Sequence, residues 1–266
     1  MTRDQLFERI QKKDSFLCVG LDPDPQRLPD EFRDDVLAFN QHIIDETREY
    51  CVAYKPNLAF YEALGLHGMH ILKRTIDYIG DDHMIIADAK RGDIGNTSRY
   101  YASFAFNTLG ADAITVAPYM GADSVQPFLD FAGKWTILLA LTSNTGSADF
   151  QHIRQDDGSP LYQKVMQQAM EWGSPEELMF VCGATQAERF AELRQISPDY
   201  FFLVPGIGAQ GGDLDAVCRY GMNDHCGLLV NSSRSIIYAD RPRAAARALQ
   251  QQMATSLKKY LPKVSQ

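Results

Sequence analysis

The 266-residue chain is 45% hydrophobic and 23% charged, an ordinary composition for a globular domain, and long enough to build its core without disulfide or metal staples. Its 26 Lys and Arg are outnumbered by 34 Asp and Glu, for a net charge of −8. This balance argues against a general nucleic-acid binder, and no apolar run approaches the about 18 residues that cross a bilayer. The first residues, MTRDQLFERIQKK, alternate charged and apolar side chains, which predicts an amphipathic helix over roughly 3–13 with no secretory h-region. Five scattered cysteines (Cys18, Cys51, Cys182, Cys218, Cys226) include no CxxC pair. They read as buried thiols in a reducing compartment, with the cytoplasm as the expected location and no zinc site.

Eight short apolar runs follow in chain order: 16–22, 51–57, 84–90, 113–119, 135–143, 178–184, 200–206 and 227–233. They are continuous rather than alternating, the pattern of strands buried on both faces of a parallel sheet. Helical patterns lie between them. One runs from near Phe60 toward Tyr78. The last starts at Asp240 as N-cap with Pro242 in its first turn, places Ala245, Leu249, Met253 and Leu257 on one face, and stops at Pro262. The polar stretch Ser147–Ser159 reads as a surface loop. Eight such units without a low-complexity linker predict a single (β/α)8 TIM barrel over residues 1–266, with a doubly wound open sheet as the structural competitor. Neither GxGxxG after the first strand nor GxxxxGK[ST] is present.

Polar residues collect where these strands end, the face that carries the active site of a barrel. Asp22 closes the first run, Lys55 lies near the end of the second, Asp88 and Lys90 close the third, and Thr142 and Ser143 close the fifth. Strand alternation puts Asp88 and Lys90 on one side, so that with Lys55 they can form a partly buried array. Such an array is costly to assemble and points to electrostatic catalysis more than to stability. Lysines flanked by carboxylates stay protonated, which argues against a Schiff-base role. Asp93 lies where the next helix begins and is open to a capping role or a catalytic one. After the seventh and eighth strands, Gly206, Gly208, Gly211, Gly212 and Arg234 form a phosphate-like set.

The segment DAKRGDIGNT, 88–97, resembles the D-x-K-x-x-D signature of the orotidine 5′-phosphate decarboxylase family. VGLDPDPQRLP, YKPNLAFYEALG, DAITVAPYMGADSVQPF, LALTSNTGS, VPGIGAQGGD and RSI are similar to that family in the same order, across residues 18 to about 238. The longer inter-motif segments resemble its larger bacterial-type chains. The resemblance implies a (β/α)8 homodimer that converts orotidine 5′-monophosphate to uridine 5′-monophosphate and carbon dioxide, in pyrimidine synthesis, without metal or organic cofactor. It assigns catalysis to Lys55, Asp88, Lys90 and Asp93, with Asp93, Ile94 and Thr97 reaching the neighbouring subunit's site. It gives Asp22 and Lys55 to the ribose hydroxyls, Ser143 and Pro205 to the pyrimidine, and Gln210, Arg234 and amides near Ser233 to the phosphate. The family commonly has Gly where this chain has Ser233.

Two rivals remain at this level. A magnesium-dependent sugar-phosphate decarboxylase or aldolase on the same scaffold needs an acidic ligand after the second strand, where YKPNLAF offers Lys55 and Asn57. A non-catalytic nucleotide-binding protein has no use for a Lys–Asp–Lys–Asp set.

Overall fold

The computed structural model describes residues 1–183, 187–207 and 213–261. Its eight strands are β1 (Leu17–Leu21), β2 (Ala53–Pro56), β3 (Met84–Arg91), β4 (Ala113–Val116), β5 (Trp135–Leu141), β6 (Leu178–Cys182), β7 (Phe201–Pro205) and β8 (Leu228–Ser232). Each pairs in parallel with its sequence neighbour, and β8 returns to β1 through Leu17↔Val230, Cys18↔Asn231 and Val19↔Ser232, closing the barrel. Closure decides against the open sheet. Every residue of β1, β2, β4, β6 and β8 is buried, because each strand has the barrel interior on one face and helices on the other.

The helix α1 (Arg3–Lys13) has the expected bounds, and its Thr2 and Gln5 form a capping box. Leu6 and Ile10 are buried. The Met1 ammonium meets Asp112, just before β4, at 3.1 Å, and the Trp135 indole donates to the Met1 carbonyl at 2.8 Å. These contacts lie at the N-terminal ends of β4 and β5, so α1 packs across the end of the barrel opposite the polar strand ends.

Two sequence expectations need correction. The helix predicted from Phe60 to Tyr78 is two helices that follow α2 (Val36–Thr47), namely α3 (Leu58–Glu62) and α4 (Gly65–Ile79). The break falls at Gly65, whose φ of +65° a side-chain-bearing residue rarely adopts. The last helix, Pro242–Tyr260, is capped at Arg241 without a side-chain bond rather than at Asp240. Met253 and Leu257 bury its inner face as expected, with Ala246 beside them. The proposed stop at Pro262 lies outside the described residues. All five cysteines are free and buried.

Candidate active site

The sequence places three charged residues at the C-terminal ends of β2 and β3, and the fold brings them into contact. Lys55 Nζ lies 2.7 Å from Asp88 Oδ2, and Lys90 Nζ lies 2.6 Å from Asp88 Oδ1. Lys55 and Asp88 are buried, with side chains 7% and 8% exposed, whereas Lys90 is half exposed toward the barrel mouth. Burial works against the charge on Lys55, but Asp88 and then Asp22 outweigh it and push its pKa to about 12. Burial likewise disfavours the Asp88 carboxylate, and Lys55 and Lys90 overcome this and hold it at about 2. Lys55 and Asp88 are therefore both charged at neutral pH.

The backbone departs from regular strand where this array is built. The β3–β4 register shifts between Ala87 and Arg91, and Lys90 has a φ of +47°, in the left-handed region. Thr115 on β4, 1% exposed, holds this kink. Its Oγ1 accepts from the amides of Ala89 at 2.9 Å and Lys90 at 2.8 Å, and donates to Asp88 Oδ1 at 3.0 Å. Arg91 anchors the far side of the kink, pairing with Glu62 of α3 and lying over the Tyr101 ring. Sequence reasoning missed Thr115, because a β-branched residue inside AITV reads as an ordinary strand former.

A cavity of about 210 Å³ opens above these residues. Lys55, Asp88, Lys90 and Thr115 line it together with Ser143, Pro205 and the apolar Leu139, Val181 and Leu203, and Thr142 and Asn144 also border it. Ser143 and Pro205 thus lie at the same cavity as the charged array. Asn231 of β8 also lines it, although within the apolar run 227–233 the sequence does not single it out; its buried Oδ1 has no partner among the described residues. Thr142 is engaged within its own loop, where Gln151 brackets it from both its amide and its hydroxyl.

Asp22 follows β1. Ser233 donates to Asp22 Oδ2 at 2.7 Å, while the buried Oδ1 has no partner among the described residues. The Ser233 side chain fits because residue 20 is glycine: a Cβ at Gly20 would lie 2.7 Å from that of Ser233. The serine that departs from the family pattern therefore grips a candidate ribose ligand. Arg234 opens a short helix, Arg234–Ile237, and is exposed.

Asp93 does not cap the helix that follows it, α5 (Gly95–Ser103), whose N-cap is Ile94 without a side-chain bond. Its Oδ1 accepts from the Ile94 amide at 2.7 Å, and among the described residues it forms no ion pair. Ile94 is 56% exposed, and Thr97 is exposed beside it. Within one chain, then, Asp93, Ile94 and Thr97 stand outside the Lys55–Asp88–Lys90 array. Gln210, Gly208, Gly211 and Gly212 lie outside the described residues. Among the described residues no three His, Cys, Asp or Glu side chains are grouped as a metal site, and no helix is long and apolar enough to cross a membrane.

The family described as orotidine 5′-phosphate decarboxylase / HUMPS matches residues 15–249. An orotidine 5′-phosphate decarboxylase of Bacteroides fragilis is 54% identical over 98% of this chain and 100% of its own length. One from Phocaeicola vulgatus is 57% identical over 91% of each. The solved structure of Leishmania donovani OMP decarboxylase is 39% identical and superimposes with a TM-score of 0.87, covering 96% of this chain and 99% of that one.

Proposed function

The chain belongs to the orotidine 5′-phosphate decarboxylase / HUMPS family, and from that premise we propose how its residues decarboxylate orotidine 5′-monophosphate. The enzyme is a carboxy-lyase of pyrimidine biosynthesis that yields uridine 5′-monophosphate and carbon dioxide. The observation that carries the assignment of roles is the unbroken Lys55–Asp88–Lys90 chain beside a cavity bordered by Ser143 and Pro205.

The bond between C6 of the pyrimidine and its carboxylate breaks, carbon dioxide leaves, and the electron pair stays on C6. That pair lies in the ring plane and cannot spread into the π system. A fixed positive charge must stabilise it, and a preorganised ammonium does so without reorganising. Lys90 is that ammonium. It then gives its proton to C6 and recovers one from water. Asp88 sits beside the departing carboxylate and, with Lys55, fixes where Lys90 points. Asp22, with its open buried oxygen, and Lys55 hold the ribose hydroxyls. Gln210, Arg234 and amides near Ser233 clamp the phosphate, whose binding energy is spent on organising the charged array.

The working unit is a homodimer of two barrels, each a single domain over residues 1–266, and it operates in the cytoplasm. Asp93 reaches the second subunit's array, with Ile94 and Thr97 lining that site. Support for the shared site comes from Asp93 standing free of the array in its own chain, next to exposed Ile94. The magnesium-dependent alternative lacks its acidic ligand: Asn57 follows β2 and caps α3 through the Ala59 amide at 3.1 Å. Carbon dioxide release from orotidine 5′-monophosphate in the presence of a chelator tests the reading. Turnover that stops with the chelator and returns with magnesium would overturn the metal-free reading, and no release at all would overturn the substrate.

A further inference from the structure

We propose that Thr115 is a positioning residue for decarboxylation: its hydroxyl sets the direction of both the proton-donating Lys90 and the carboxylate of Asp88. The inference rests on the reading of Lys90 and Asp88 given above and adds to it a residue on a different strand.

Lys90 sits at a φ of +47°, which L-residues with long side chains rarely adopt because Cβ crowds the backbone carbonyl. Such a conformation persists only where its surroundings enforce it, and it is characteristic of functional sites. Here the enforcement is specific. Two consecutive amides, those of Ala89 and Lys90, point at one oxygen, Thr115 Oγ1, at 2.9 and 2.8 Å. Regular pairing between β3 and β4 is suspended from Ala87 to Arg91, and the hydroxyl gives both consecutive amides an acceptor that the interrupted ladder does not supply. The kink turns the Lys90 side chain back onto Asp88, 2.6 Å away.

The same hydroxyl has one proton, and with both amides donating to its oxygen that proton is free to go to Asp88 Oδ1 at 3.0 Å. Asp88 thereby receives Lys55 on one oxygen and Lys90 with Thr115 on the other. Its rotation is fixed from three directions, and Thr115 is the only one of the three that carries no charge. Thr115 also borders the cavity, so a change there is felt at the reacting end of the ligand and not at the phosphate end. Its γ-methyl contributes packing that a valine would keep, and the hydroxyl is what a valine would remove.

The test is steady-state kinetics on the full chain with orotidine 5′-monophosphate, comparing Thr115→Val, Thr115→Ala and Thr115→Ser with the parent. A misaimed catalytic group costs rate rather than binding, so kcat should fall by about tenfold or more in the valine variant while KM stays within about threefold. The serine variant keeps the oxygen and its proton and should recover kcat to within about threefold of the parent. If valine does not fold, alanine, which removes the same hydroxyl without adding bulk, carries the comparison with serine. A purely structural role would lower thermal stability in all variants without separating kcat from KM or serine from the others. An unchanged kcat in the valine or alanine variant, or a serine variant as slow as either, would overturn the inference while leaving the decarboxylase reading intact. A parent enzyme that releases no carbon dioxide would overturn both.

Discussion

Replacing Asp88 with Asn keeps the shape of the side chain and removes its charge, leaving Lys55 as a buried ammonium whose direct ion-pair partner is gone. In the parent, Lys55 is 7% exposed and lies 2.7 Å from that partner. Removing one member of a buried pair costs about 3–5 kcal/mol, and the charge of Asp22 nearby places this case at the lower end, about 3 kcal/mol. The pH dependence identifies the cause. Parent Lys55 has its pKa raised to about 12, so its contribution to stability is fully present below the unfolded value of 10.5 and is lost as pH rises through 12. In Asp88→Asn, burial acts with far less opposition and drives the Lys55 pKa down. If it drops below the unfolded value, the folded state binds fewer protons than the unfolded state in that interval, and stability rises with pH. Urea unfolding at pH 7, 8.5 and 10 should therefore show a deficit that narrows toward high pH. Adding Lys55→Met to Asp88→Asn should recover most of the loss. An Asp88→Asn variant as stable as the parent at pH 7, or one with the same deficit at every pH, would refute the claim that Asp88 carries the charge of Lys55.

Other consequences are equally specific. His83 is 4% exposed, and burial, followed by the charge of Lys13, lowers its pKa to about 4. Its contribution is present above the unfolded value of 6.5 and is lost as pH falls through 4. Stability should thus drop by up to about 3 kcal/mol across that window, and His83→Gln should flatten the drop in urea titrations. Ser233→Gly removes the donor to Asp22 Oδ2 and should raise KM for orotidine 5′-monophosphate by up to about tenfold, with kcat nearly unchanged. A lowered kcat at constant KM would place Ser233 elsewhere in the mechanism. Mixing inactive Asp93→Asn and Lys55→Ala subunits should restore activity through hybrid dimers that assemble one intact site, and a mixture as inactive as its parents would exclude the shared geometry.

The eight strands were legible because each is an apolar run bounded by turn residues, and burial on both faces erases the alternation that makes other strands ambiguous. Lys55, Asp88 and Lys90 were legible for a related reason: a charge ending such a run has to emerge at the barrel mouth. Where the reading stopped, the deciding contacts join residues far apart in sequence. Nothing local tells that Thr115 receives the amides of residues 89 and 90, or that Ser233 and Gly20 share one space. The failure at Asp240 has a different source. Asp before a helical pattern is a good cap by composition, but the chain enters the helix one residue later, at Arg241, with Pro242 already in the first turn. The break between α3 and α4 was written in Gly65, but a glycine in a periodic segment is also compatible with an uninterrupted helix.

In the proposed mechanism the Lys90 ammonium, held by Asp88, stabilises the carbanion and then protonates it. Single-turnover release of carbon dioxide from orotidine 5′-monophosphate, measured for the parent and for Lys90→Ala at matched folding, addresses it directly. Loss of the one preorganised charge at the reacting carbon should slow the step by at least about a thousandfold, with the fold intact. A Lys90→Ala enzyme that still decarboxylates within about tenfold of the parent would contradict the account.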